Sequence, residues 1–145
     1  MTRVRRRILV AIVLLSVAGI GVSSVSLYHH YRTSKSSFCD FGANFNCDMV
    51  NRSIYSEVAG VPVALIGVLG YCGLVSVAMF YWRKEDTSVF LLMESLAGLA
   101  FALYLTYIEG FVLAVWCVLC LSSLGLISAI TVLSGFLITS SKTKR

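Results

Sequence analysis

The stretch Trp116–Ile138, WCVLCLSSLGLISAITVLSGFLI, decides how the rest of the chain is read. It contains no Asp, Glu, Lys or Arg. About twenty apolar residues cover a hydrocarbon core of about 30 Å at 1.5 Å per residue, so the stretch predicts a membrane-spanning helix. Its head carries Cys117 and Cys120, a C-x-x-C pair whose sulfurs a helix brings to one face.

Working outward, three further apolar runs of similar length lie at 8–27, 61–82 and 88–108, and the quoted stretch supplies the fourth span at 117–138. The composition agrees: 58% of the 145 residues are hydrophobic, 13% are charged and the mean hydropathy is +0.86. The expected fold is an all-α integral membrane protein, a four-transmembrane-helix bundle with an outer-face loop at 28–60 and a short surface helix. Residues 1–145 are expected to form a single membrane domain, with no room for a second, soluble one. Tyr28, Tyr81, Trp82, Tyr107 and Trp116 stand where interfacial anchors belong.

The net charge of +5 could point to nucleic acid, but the basic residues sit at the chain ends and in the gaps between runs. They read as topology signals, and no nucleic-acid partner is expected. Arg3, Arg5, Arg6, Arg7, Arg83, Lys84, Lys142, Lys144 and Arg145 fall on one side of an even-span bundle, against Arg32, Lys35 and Arg52 on the other. The positive-inside rule then predicts that both termini are cytoplasmic and the 28–60 loop lies outside. Arg3–Arg7 also resembles the basic region of a signal peptide, but the apolar run behind it is longer than a typical signal core, so it is read as a retained span.

The outer loop begins polar and becomes apolar. Val50, Ile54 and Val58 recur every four residues, which predicts one face of a short helix that lies on the membrane surface or caps the bundle. Pro62 suits the first turn of the second span, where a missing N–H costs nothing.

Four of the five cysteines, Cys39, Cys47, Cys117 and Cys120, fall at the outer face, and Cys72 alone lies within an apolar run, where a buried structural thiol is expected. Two cysteine pairs on the oxidising side of a membrane point to disulfide chemistry. Cys117 stands at an expected helix N-terminus, where unpaired N–H groups and the helix dipole favour a thiolate. A C-x-x-C can also be plain packing or a metal site, and Cys39 and Cys47 can form a static staple instead of a shuttle. Asp40–Asn46 between them is small and turn-prone, which favours the shuttle.

Other polar residues carry weaker signals. His29 and His30 share the outer side with the cysteines, but adjacent side chains point apart and do not form a ligand pair, so no metal is expected. Asn51-Arg52-Ser53 matches a glycosylation acceptor, a pattern that also arises by chance. Glu94 lies inside an apolar run near its cytoplasmic end, with a structural or snorkelling role at least as favoured as a functional one, and Glu109 at the outer end of that run could face the cysteines.

The order of these features, a loop pair, a surface helix, Tyr55-Ser56-Glu57-Val58-Ala59-Gly60-Val61-Pro62-Val63-Ala64-Leu65-Ile66-Gly67 and then Cys117-Val118-Leu119-Cys120, resembles the vitamin K epoxide reductase family over nearly the whole chain. The Tyr55–Gly67 stretch is more similar to prokaryotic members than to animal ones, and the sequence carries no fused thioredoxin-like domain. The resemblance implies that Cys39 meets a partner protein, Cys47 carries electrons inward, Cys117 accepts the attack and Cys120 faces a quinone. It also implies an active-site hydroxyl at Ser53. Leu124 departs from the pattern, because animal members commonly have tyrosine there. The DsbB-type four-span oxidases place the C-x-x-C before the separated pair, and here the separated pair comes first.

The expected function is a membrane thiol:quinone oxidoreductase supporting disulfide-bond formation. Its donor would be a thioredoxin-fold protein, and its bound substrate a ubiquinone, menaquinone or vitamin K type quinone. Two alternatives stand beside it: a vitamin K epoxide reductase, and a Cys/His metal-binding membrane protein. The expected location is a prokaryotic cytoplasmic membrane with the site on the outer face, or an endoplasmic reticulum membrane with a luminal site.

Overall fold

The computed structural model describes residues 3–33, 39, 42–80, 82 and 86–143. Four helices are long and apolar enough to cross a membrane: Arg3–Tyr31 (α1), Val63–Phe80 (α3), Thr87–Leu113 (α4 with the wide turn that ends it) and Val118–Lys142 (α5). Cys47–Asn51 forms the short helix α2 between the first two. The chain is an all-α integral membrane bundle, as its composition predicts. Tyr81, Arg83 and Lys84, the Ser34–Ser37 stretch with Lys35, Asp40, Phe41, Lys144 and Arg145 lie outside the described residues.

Each span is apolar around most of its circumference, so burial is decided by packing more than by polarity. On α1 the buried positions Leu9, Ile12, Ser16, Gly19, Ser23 and Ser26 alternate three and four residues apart, which lines them along one stripe. Small residues occupy its outer half, and small residues let membrane helices approach closely. Gly19 receives the ring of Tyr71 from α3, where a Cβ would overlap it, and Gly67 of α3 faces the Ser23 hydroxyl.

The Tyr71 hydroxyl then donates 3.0 Å to the Ser123 carbonyl of α5, and Thr131 of α5 reaches the Ser95 carbonyl of α4. Such hydrogen bonds satisfy polar groups where no water is available. Helices α1, α3, α4 and α5 form a closed ring, each packed on the next, around a core of Leu9, Ile12, Leu74, Leu91, Ile127 and Ile130. Leu14, Leu69, Met93 and Phe136 point outward, as lipid-facing side chains do.

Chain order places the ends of α1 and the wide turn, with the starts of α3 and α5, at one end of the bundle. Asn46 caps α2 there, its side chain accepting from the Met49 N–H at 2.9 Å. The expected surface helix does not continue past Asn51. A 3₁₀ turn at Ile54–Ser56 is followed by a hairpin of Glu57–Val58 (β1) and Val61–Pro62 (β2).

Ala59 and Gly60, with φ of 54° and 80°, supply the two left-handed positions that a tight hairpin turn requires. Val50, Ile54 and Val58 therefore do not share a face: Val50 is buried, Ile54 is 84% exposed and Val58 is exposed. Pro62 closes the hairpin, and α3 begins one residue later.

Candidate redox site

Helix α4 ends in a wider turn, Ile108–Leu113, stopped by Ala114 in the left-handed conformation. Such wide turns shift side chains relative to an α-helix and recur at functional sites. Here the turn holds Glu109, which is 1% exposed. The chain after it leads to Cys117, which is extended and is the N-cap of α5, at the helix N-terminus expected for it.

Two backbone hydrogen bonds fasten the outer loop to this segment. The Trp116 N–H donates to the Asn44 carbonyl at 2.9 Å, and the Asn46 N–H donates to the Trp116 carbonyl at 3.2 Å. The residue before Cys47 is thus tied to the residue before Cys117. The Trp116 ring lies over Gly110, where a Cβ would stand 3.1 Å from it, so this side chain packs within the protein instead of serving only as a lipid anchor.

The consequence is that Cys39, Cys47 and Cys117 share one buried apolar cluster with Val50 and Val115, and Cys120 packs against it. Cys39 and Cys47 form a disulfide with Cα atoms 5.5 Å apart, while Cys117 and Cys120 are free thiols. Cys39 is itself only 3% exposed. Cys72 is exposed on α3, away from the cluster, and is not the buried thiol expected.

Cys117 accepts a hydrogen bond from the Cys120 N–H at 3.4 Å, the usual bond of a helix cap. Its pKa is lowered, first by the hydrogen bond with the Cys120 side chain, against burial and the charge of Glu109. A lowered pKa favours the thiolate, the form that attacks and leaves in thiol–disulfide exchange. The Glu109 carboxylate accepts from the Cys117 N–H at 3.1 Å through Oε2. One carboxylate oxygen of Glu109 and the sulfurs of Cys117 and Cys120 lie within 4.8 Å of one another, and among the described residues no fourth His, Cys, Asp or Glu joins them. A closed tetrahedral zinc site needs four donors.

A cavity of about 370 Å³ opens beside Cys120, lined on its polar side by Asn51, Ser53, Tyr71, Glu94, Glu109 and Ser123. Its size and mostly apolar wall suit a small ring-shaped ligand. Ser53 lines it as the resemblance implied, with its hydroxyl donating 2.8 Å to the Val50 carbonyl. Leu124 does not line it, and the hydroxyls of Tyr71 and Ser123, 2.9 Å apart, stand there instead.

Asn51, whose Asn-Arg-Ser pattern also arises by chance, is enclosed by the fold. It is 6% exposed, its Oδ1 accepts from Ser26 at 2.9 Å, and its Nδ2 has no hydrogen-bond partner among the described residues. A glycan cannot be carried by a side chain enclosed in this way. His30 bonds the Asn51 carbonyl through Nδ1 and reaches Glu57 at 3.2 Å through Nε2, while His29 faces Asp48 at 3.9 Å. The two histidines thus brace the loop through different partners and do not join the cysteines.

Fold and site together define a membrane-embedded helical bundle with a loop disulfide seated against a helix-end dithiol. The chain belongs to the vitamin K epoxide reductase family, whose family model matches residues 10–135. It is similar to vitamin K epoxide reductase complex subunit 1 of Rattus norvegicus, 25% identical over 146 residues that cover 90% of this chain and 91% of the rat protein. The subunit of the same name in Mus musculus is 25% identical over 148 residues, with the same coverage.

Proposed function

We propose that this chain is a membrane thiol:quinone oxidoreductase in which electrons enter at Cys39–Cys47, pass to Cys117 and Cys120, and leave to a quinone in the cavity. The observation that carries the reading is the seating of Cys47 and Cys117 in one buried cluster, with Cys120 packed against it and on the cavity wall. A dithiol on a thioredoxin-fold partner would attack Cys39 and leave as its own disulfide, and the released Cys47 thiolate would attack Cys117 in the state where Cys117 and Cys120 are joined by a disulfide. Cys120 would then leave as a thiolate beside the quinone, and Cys39 would later resolve the Cys47–Cys117 bond. Each exchange needs a thiolate attacker and a good leaving group.

The quinone can enter laterally from lipid, while the partner meets the water-facing loop. Residues 1–145 act as one membrane domain in this reading. The cysteine end faces away from the cytoplasm, in a prokaryotic cytoplasmic membrane or toward an endoplasmic reticulum lumen.

The names of the rat and mouse relatives favour a second reading, in which the same cavity takes a vitamin K epoxide. One experiment separates the two. Purified protein in lipid is mixed with a reduced thioredoxin-fold protein and, in parallel, a menaquinone analogue, a ubiquinone analogue or vitamin K epoxide, while partner thiols and substrate absorbance are followed together. The proposal expects two partner thiols lost per quinone reduced. Turnover with the epoxide alone would establish the second reading, and no thiol-dependent reduction of any substrate would reject both.

A further inference from the structure

Glu109 is a buried acid that a relay of thiols alone leaves unused. It is 1% exposed, Oε2 accepts from the Cys117 N–H, the carboxyl is in hydrogen-bonding reach of the Cys120 thiol, and Oε1 meets no N–H or O–H donor among the described residues. A buried polar atom left unpaired is rare enough to require a reason. The carboxylate lies within 4.8 Å of both thiol sulfurs, and Glu109 and Cys120 line the same cavity. Among the described residues no Lys or Arg lines that cavity, and its basic side chain is His30.

Resting on the thiol:quinone reading, we propose that Glu109 is a catalytic acid–base residue that carries protons from the thiols to the quinone oxygens. Reducing a quinone takes two electrons and two protons, and the two thiols hold both. The Cys120 S–H bond breaks and its proton passes to the Glu109 carboxylate. The Cys120 sulfur forms a bond to a ring carbon of the quinone with its electron pair, which places negative charge on a ring oxygen, and Glu109 returns the proton to that oxygen.

The Cys117 thiol then gives its proton to Glu109, and its sulfur attacks Cys120. The S–S bond forms as the C–S bond breaks, the released pair stays on the ring, and the second oxygen takes the second proton. The sum is two thiols and a quinone giving a disulfide and a quinol. The backbone bond from Cys117 fixes one carboxylate oxygen, which leaves the other free to face the reacting atoms.

The test compares wild type, Glu109→Gln and Glu109→Asp in lipid, with a small dithiol as donor and a menaquinone analogue as acceptor, across neutral to alkaline pH. Gln keeps an oxygen for the Cys117 N–H but cannot take a proton. General acid–base catalysis contributes about 10²–10⁴-fold, so Glu109→Gln should lose at least about a hundredfold in kcat. Its KM for quinone should stay within about twofold of wild type, and its pH profile should change shape, outcomes that a purely structural role would not produce together. Glu109→Asp should recover part of the rate, and formate should partly rescue Glu109→Ala.

Glu109→Gln within about threefold of wild type with an unchanged pH profile would overturn the assignment. So would an inactive Glu109→Asp together with a Glu109→Ala that formate does not rescue, and these two arms decide the matter if the Gln variant does not fold. A wild-type protein that reduces no quinone would instead reject the thiol:quinone reading itself. Cys72→Ser, on the outer surface of α3, is the control expected to match wild type.

Discussion

The sulfur of Cys120 stands between two worlds, packed against the cysteine cluster on one side and lining the cavity on the other. Removing it should leave the rest of the path intact but without an exit. Cys120→Ala is expected to lose quinone reduction and accumulate a Cys47–Cys117 disulfide, because no Cys120 thiolate remains to expel Cys47. Adding Cys39→Ala removes the other resolving thiol and should increase the trapped species, which non-reducing peptide mapping identifies; free Cys47 and Cys117 thiols under oxidising conditions would count against this path. Asn51 belongs to the same wall. Asn51→Ala strips the Ser26 hydroxyl of its partner, at about 1–3 kcal/mol of stability for a buried unsatisfied group. Asn51 also lines the cavity, so KM for quinone should rise up to about tenfold, the value of one neutral hydrogen bond. Thermal unfolding and quinone titration check the two effects separately. The convergence of the four cysteines could be expected from sequence because both pairs fall toward the same end of the spans. Asn51 could not, because a three-residue pattern says nothing about burial, and Glu109 acquires its setting only when the Cys117 N–H folds onto it.

At the scale of elements, close approach and turn geometry matter more than hydrophobicity. Gly19 admits the Tyr71 ring, and Tyr71 in turn ties α3 to α5 through Ser123. Gly19→Leu must displace that ring, and overpacking of this kind costs about 1–3 kcal/mol. Its unfolding temperature in lipid or detergent should fall clearly below wild type, whereas Gly21→Leu, with open space around the added Cβ, should stay near it. Equal stability of the two variants would contradict the packing described. The four spans were legible because twenty apolar residues have few other uses. The hairpin at Glu57–Pro62 was not, since a four-residue recurrence assumes an unbroken helix, and the break lies in the left-handed backbone of Ala59 and Gly60. The wide turn at Ile108–Leu113 was equally hidden, because one widened turn barely alters an apolar pattern.

Across the whole molecule, the basic start of α1 and the end of α5 lie opposite the cysteine cluster, so charge and chemistry are segregated to opposite ends. The positive-inside rule then predicts that the cysteine end lies outside. Met49→Cys, exposed at that end, should react with a membrane-impermeant maleimide in intact cells, and Thr143→Cys only after the membrane is opened. The reverse pattern would invert the orientation. The deeper claim is that electrons leave through Cys117 and Cys120 to a quinone, and the most direct measurement is an anaerobic single turnover. Fully reduced protein is mixed with an excess of menaquinone analogue, quinol is read by absorbance, and the disulfides are mapped after acid quench. The account expects one quinol for each Cys117–Cys120 disulfide formed in the first turnover, before the Cys39–Cys47 bond appears. Quinol formed while Cys117 and Cys120 remain thiols, or a Cys39–Cys47 disulfide that appears first, would contradict it.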